Sequence, residues 1–225
     1  SLPLLPGLGL VVSKKALVAL TAIAALSYVH VRGLGPGRLV QNTLAVLKTL
    51  GLVVFVALGF SLGTGHGAPL TATAGAVTPA GLLLALIPVM FTYSGWNAAS
   101  YVAEEIRDPG RNVPIALALG TGTVIVLYMA LNALYLHAMP IGELATLQGG
   151  LIDTASERLF RFGIADAVAI FTIVSIAASV SAMILAGPRV YFAMARDGLF
   201  LAPAARVHPR FHTPALAIIA QAVWL

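Results

Sequence analysis

The sequence contains no cysteine, and only 9% of its 225 residues are charged. Without cysteine, neither a disulfide framework nor a thiolate metal site can form. Soluble domains carry about a quarter charged residues, so the low charge and the mean hydropathy of +0.96 argue against one. The H-E-x-x-H and G-x-x-x-x-G-K-S/T motifs are also missing. We therefore expect no enzyme, no cofactor and no metal.

The apolar residues fall in long blocks, several of which reach the roughly 20 residues that span a hydrocarbon core. Backbone polar groups in lipid need partners within the segment, so each block is predicted to be a helix. The fold class is then all-α, a polytopic membrane helix bundle in contact with the lipid bilayer. The predicted segments, in one incomplete transmembrane domain, are about 9–31, 39–62, 79–102, 113–137, 165–195 and a truncated 213–225.

Basic residues are unevenly divided between the two sides of this bundle, and the richer side is expected to be cytoplasmic. The cytoplasmic loops are then 32–38, 103–112 and 196–212 of a multi-pass protein of the cell membrane. The net charge of +5 is scattered between apolar blocks and makes no basic face. We therefore expect no nucleic-acid partner.

The third segment carries the features of an interrupted helix. Pro88 lacks an amide hydrogen, and Ser94-Gly95 follows six residues later. Glycine permits non-helical angles, so the chain can unwind within 91–97 and expose carbonyls at mid-membrane depth. A simple kink, or close packing at Gly95, is the alternative.

Three further features are candidates for function. Lys48 lies deep in the second segment, where a charge needs a cavity or a partner; snorkelling to the headgroups is the alternative. Ser175 and Ser179 share one face of the fifth segment, and helix packing is the alternative. The charges around Glu104 form either a cytoplasmic gate or a solvated loop.

Three stretches resemble the amino acid–polyamine–organocation (APC) superfamily. Residues 91–117 (FTYSGWNAASYVAEEIRDPGRNVPIAL) are similar to its helix six and the following loop. Residues 179–199 (SVSAMILAGPRVYFAMARDGL) are similar to its helix eight, and 31–48 (VRGLGPGRLVQNTLAVLK) to its helix five region. The resemblance runs from about helix four to early helix nine.

The resemblance implies a LeuT-type inverted-repeat fold and a carrier whose substrate is an amino acid. In the family's arrangement Phe91 caps the substrate, carbonyls around Phe91 and Ser94 take its ammonium, and Asn97 lines the site. Lys48 and Ser179 would meet where sodium-coupled relatives hold a sodium ion, which favours sodium-independent proton symport or exchange. The alternative is a non-transporting membrane receptor or assembly subunit that reuses the fold.

The predicted site residues fall into three groups. The substrate-binding group is Phe91, Tyr93, Ser94, Gly95, Trp96 and Asn97. The ion-coupling group is Lys48, Ser175 and Ser179. The cytoplasmic gate is Glu104, Glu105, Arg107, Arg189 and Arg196. The expected partners are an amino acid, protons as the coupling ion, and the missing helices of the same transporter.

Overall fold

The computed structural model describes residues 2–3, 11–63, 78–147, 149–160 and 163–224. Helices dominate this part of the chain, so the all-α prediction is confirmed. The helices are α1 Lys14–Val31, α2 Leu34–Leu62, α3 Pro79–Thr92, α4 Ala98–Tyr101, α5 Pro109–Ala138, α6 Ile141–Thr146, α7 Leu151–Leu159, α8 Ala165–Arg196 and α9 Ala215–Trp224. Short 3-10 turns lie at Ala103–Glu105 and Ala202–Ala205. One two-residue antiparallel pair, β1 Leu2–Pro3 with β2 Val11–Val12, is the β structure in the described ranges.

Within the described residues, α1, α2, α5 and α8 are long and apolar enough to cross a membrane. Two shorter apolar helices, α3 and α9, accompany them. Few side chains of the four long helices are buried, and large apolar residues cover their outer faces. Such faces suit contact with lipid or with further helices rather than with water.

Several helix boundaries differ from the approximate predicted ones. The first helix begins at Lys14 rather than near residue 9, because the Ser13 hydroxyl caps it by accepting from the Ala16 amide (3.1 Å). The second begins at Leu34 rather than 39, since a proline in the first turn removes an amide that has no helical partner anyway. Residues 9, 10 and 225 of the predicted segments lie outside the described residues.

The fourth predicted segment also starts earlier, at Pro109 instead of 113. Asp108 adopts a left-handed conformation (φ 48°), which turns the chain directly into a helix with proline at its first position. Asn112 therefore lies inside the first turn, where its side-chain amide donates to the Arg107 carbonyl oxygen (2.5 Å).

The described residues form two compact units, of which unit 1 contains 1–47 and 174–225. Within it α1 packs against α9, and the Thr213 hydroxyl donates to the Val31 carbonyl oxygen (2.9 Å). The buried His30 ring lies with Nε2 3.0 Å from the buried Ser181 hydroxyl of α8. Gly37 approaches the same ring so closely that a Cβ there would lie 2.6 Å from Nδ1. Glycine at 37 thus allows α2 to start against α1.

Unit 2 contains residues 48–173 and has its own hydrophobic cluster. The amphipathic α7 packs on the end of α5, burying Leu159 near Leu134. The rings of Phe55 and Phe160 meet at 6.2 Å between centroids. Arg158 forms an ion pair with Glu143 on the exposed side. This cluster anchors α5 at one end, and α5 borders the interrupted helix further along its length.

Candidate functional site

The third apolar segment is interrupted between α3 and α4. Pro88 lies in α3, which ends at Thr92. Residues 93–97 then form turns, and Gly95 has φ +96°. That backbone region is open to glycine and strained for any residue with a Cβ. The segment 79–102, predicted to be interrupted within 91–97, is therefore two helices separated by five residues, which we call the break (93–97).

The break leaves two backbone acceptors open. The Phe91 carbonyl oxygen accepts from the Ser94 amide (3.0 Å), and the Gly95 carbonyl oxygen accepts from the Ala98 amide (3.0 Å). Within the described residues, the carbonyl oxygens of Tyr93 and Ser94 receive no backbone hydrogen bond. An acceptor without a donor is costly in apolar surroundings. These two oxygens are thus suited to a ligand that brings its own donors.

A cavity of about 410 Å³ lies between the break and α5, within unit 2. This volume falls in the range of about 300–1,000 Å³ that ligand pockets occupy. The cavity lining is mostly apolar. The lining residues are Thr92, Tyr93, Ser94, Gly95 and Trp96 from the break side, and Ala116, Leu117, Gly120, Thr121, Val124 and Tyr128 from α5.

Tyr128 is a residue of this site that sequence reasoning missed. Its hydroxyl donates to the Thr92 carbonyl oxygen (3.3 Å). Its ring meets the Tyr93 ring edge-on, with 5.4 Å between centroids. The signal available in the sequence was the spacing of Gly120, Val124 and Tyr128, which places all three on one face of a helix.

Not every predicted binding residue lines the cavity. Tyr93, Ser94, Gly95 and Trp96 do. Phe91 is 77% exposed and lies outside the cavity lining. The Asn97 side chain donates to the Tyr101 hydroxyl on α4 instead of facing the cavity. Their roles toward a substrate stay predictions.

Comparison with known proteins identifies the family. A family model described as amino acid permease matches residues 11–224. The chain belongs to the amino acid permease family. The resemblance to the APC superfamily is thereby confirmed, and so is the prediction of a multi-pass membrane protein.

Three relatives illustrate the breadth of this similarity. The chain is 29% identical to the serine/threonine exchanger SteT of Bacillus subtilis over 91% of its own length and 47% of the relative. It is 31% identical to a methylthioribose transporter of the same organism over 60% of the chain and 29% of the relative. It is 28% identical to the vacuolar cationic amino acid transporter 4 of Arabidopsis thaliana over 97% and 36%. The chain spans less than half the length of these relatives.

The predicted ion-coupling residues of this permease chain lie in different units. Lys48 is partly buried in α2 and belongs to unit 2. Ser175 and Ser179 belong to unit 1, where the Ser179 hydroxyl donates to the Ser175 carbonyl oxygen (3.1 Å). The buried Ser175 hydroxyl has no hydrogen-bond partner among the described residues. A common ion site for the three stays a prediction.

The predicted gate of the permease is likewise divided. Glu104 and Glu105 form a 3-10 turn, with Arg107 just beyond it, in unit 2. In unit 1, the largely buried Arg189 guanidinium donates to the Leu185 carbonyl oxygen, and the Arg196 guanidinium lies 5.9 Å from the centre of the Phe192 ring. Pairing across the gate stays a prediction. Within the described ranges, no group of three or more His, Asp or Glu side chains could hold a metal ion.

The geometry at Gly95 yields a first testable prediction. Gly95→Ala places a Cβ on a residue with φ +96°, which costs about 1–3 kcal/mol. We expect a clearly lower thermal unfolding midpoint of the full-length permease in detergent. Gly122→Ala on α5 is the matched control, because a Cβ at 122 meets open space at an ordinary helical position. Equal midpoints for wild type and Gly95→Ala would contradict the strained geometry of the break.

Proposed function

We propose that the full-length protein is a secondary active carrier that moves amino acids across the cytoplasmic membrane by alternating access. The single observation that carries the proposal is the break (93–97), with its open carbonyl oxygens beside a mostly apolar cavity. Family membership supports it, as do relatives whose names specify serine and threonine or cationic amino acids.

The chemistry of the break suits an α-ammonium group. An ammonium has three donors and no acceptor, so it can satisfy carbonyl oxygens that lack a donor. The carbonyl oxygens of Tyr93 and Ser94 provide this pair. The Phe91 carbonyl oxygen already accepts from the backbone amides of Tyr93 and Ser94, so it is not one of the open acceptors. A substrate bound here would sit where a broken helix crosses the middle of a bundle.

The coupling mechanism that we propose is sodium-independent, by proton symport or by exchange. Lys48 places an amine within α2. In sodium-coupled members of the superfamily a sodium ion is expected in this region, and the lysine side chain would take its place. Ser179 and the unsatisfied Ser175 hydroxyl on α8 are the polar groups proposed to share this region. Protonation that changes there would bias the bundle between its inward- and outward-facing states.

The proposed orientation places the loops 32–38, 103–112 and 196–212 in the cytoplasm, as the distribution of arginine favours. The proposed cytoplasmic gate would then consist of Glu104, Glu105, Arg107, Arg189 and Arg196. Opposite charges at such a mouth can close it in one state of the cycle and separate in the other.

Uptake by the full-length carrier in proteoliposomes, measured with a panel of radiolabelled amino acids, tests the proposed function. If Phe91 caps the substrate, Phe91→Ala removes an aromatic contact and should raise KM about 10-fold or more. Met90→Ala is the matched control, because Met90 is the neighbouring residue on α3 and is similarly exposed (71%). Uptake of no amino acid by the wild type would contradict the transport proposal and favour a receptor or assembly role.

The coupling proposal predicts separate effects on binding and accumulation. Lys48→Ala should keep substrate binding and lose most of the uptake that a proton gradient drives. Lys48→Arg is the informative control, because arginine keeps the charge but does not release a proton. Proton symport predicts that both variants fail to accumulate substrate. Wild-type accumulation and pH profile in both variants would show that Lys48 is only an anchor.

A further inference from the structure

We propose that Tyr128 is a positioning residue that holds the break in its binding geometry and determines which carbonyl oxygens stay open to substrate. The inference rests on the proposed function, since it names how α5 prepares the same site. It goes beyond that proposal in assigning a role to a residue of α5 that lies outside the stretches singled out in the sequence.

The break removes the helical hydrogen bond to the Thr92 carbonyl oxygen. In a continuous α-helix, the Thr92 carbonyl oxygen would accept from the amide four residues on, at Trp96. The turn at Gly95 prevents that bond, and the described residues show no backbone donor to this oxygen. The Tyr128 hydroxyl donates to it instead, at 3.3 Å. A side chain of α5 thus replaces a helical amide.

The Tyr128 ring makes a second contact with the break. The Tyr128 and Tyr93 rings meet edge-on, with 70° between their planes. Edge-on aromatic pairs are stabilising beyond the contribution of the apolar area that they bury. Tyr128 therefore contacts both sides of the junction: Thr92, where α3 ends, and Tyr93, where the turns begin. Two contacts from one rigid side chain fix the direction in which the chain leaves the helix.

Helix α5 approaches the break at Tyr128 and leaves space elsewhere. Gly120 lies about two turns before Tyr128 on the same face, and a Cβ there would meet open space. The cavity is therefore bounded by a large side chain at one end and a glycine further along. The helix is shaped to support the break at one point without filling the space beside it.

As a consequence, three successive carbonyl oxygens differ in whether the protein supplies a hydrogen-bond donor. The first, from Thr92, is satisfied by a neutral donor of the protein. The next two, from Tyr93 and Ser94, accept no backbone hydrogen bond in the described structure. Removing the Tyr128 hydroxyl would open a third acceptor and loosen the turn, so that an ammonium no longer meets a single preferred pair.

Tyr128→Phe in the full-length carrier isolates the hydroxyl, because it keeps the ring. Tyr135→Phe is the matched control: it makes the same change seven residues further along α5, where the ring packs against the unit 2 cluster. For the amino acid that the wild type takes up best, we expect Tyr128→Phe to raise KM about 3–10-fold. Vmax per inserted protein and the thermal unfolding midpoint should stay at their wild-type values, and Tyr135→Phe should leave all three unchanged.

Hydrogen exchange of the amides in 93–98, measured without substrate, provides an independent readout. Tyr128→Phe should accelerate it several-fold and Tyr135→Phe should not. Unchanged KM and unchanged exchange in Tyr128→Phe would overturn the inference, as would a joint fall of Vmax and unfolding midpoint, which indicates a merely structural role. A wild type without uptake contradicts the proposed function instead, and the exchange measurement then still decides whether Tyr128 holds the break.

Discussion

Backbone polar groups removed from water must find hydrogen-bond partners, and the structure around Thr92 depends on this constraint. A continuous helix meets the requirement within itself. Between Thr92 and Ala98 the helix is interrupted, so each carbonyl oxygen has to be satisfied locally, by another helix or by a ligand. The first two occur here: local turns satisfy Phe91 and Gly95, and the Tyr128 hydroxyl satisfies Thr92. The carbonyl oxygens of Tyr93 and Ser94 accept no backbone hydrogen bond and are the acceptors proposed for a ligand. The proposed binding site therefore consists of the two carbonyl oxygens to which the protein supplies no backbone donor.

The helices around this site pack through small residues as much as through large ones. Gly59 lies under the Leu134 side chain, and a Cβ at Gly51 would run into the Phe171 ring. Lipid supplies no hydrophobic driving force between helices, so close van der Waals approach has to hold them together. Gly37 likewise lies so close to the His30 ring that a side chain there would not fit. Few side chains are deeply buried, which leaves most of the apolar surface of the described residues available to lipid or to further helices.

Much of the fold could be predicted from the sequence, because its signals are local. Long apolar blocks predicted the helices, and Pro88 together with Gly95 predicted the interruption. Boundaries were less accurate, because Ser13, Pro36 and Pro109 each shift a start through capping or a missing amide that composition does not reveal.

The rest of the site depended on information that local patterns do not contain. Tyr128 lies 36 positions from Thr92, and only the packing of α5 brings the two together. Whether Lys48 meets Ser179, or Glu104 meets Arg196, depends on how separate parts of the protein come together, which spacing along one chain does not determine. The resemblance to a family could suggest those pairs, but physical reasoning on the residues alone left them open.

The central claim is that the open carbonyl oxygens of the break bind the ammonium group of an amino acid. An experimental structure of the full-length carrier with bound amino acid tests it most directly. We expect the ammonium nitrogen to lie within about 2.7–3.2 Å of the Tyr93 and Ser94 carbonyl oxygens, with 93–97 still unwound. A substrate bound elsewhere, or protein donors covering both oxygens while the amino acid is present, would contradict it.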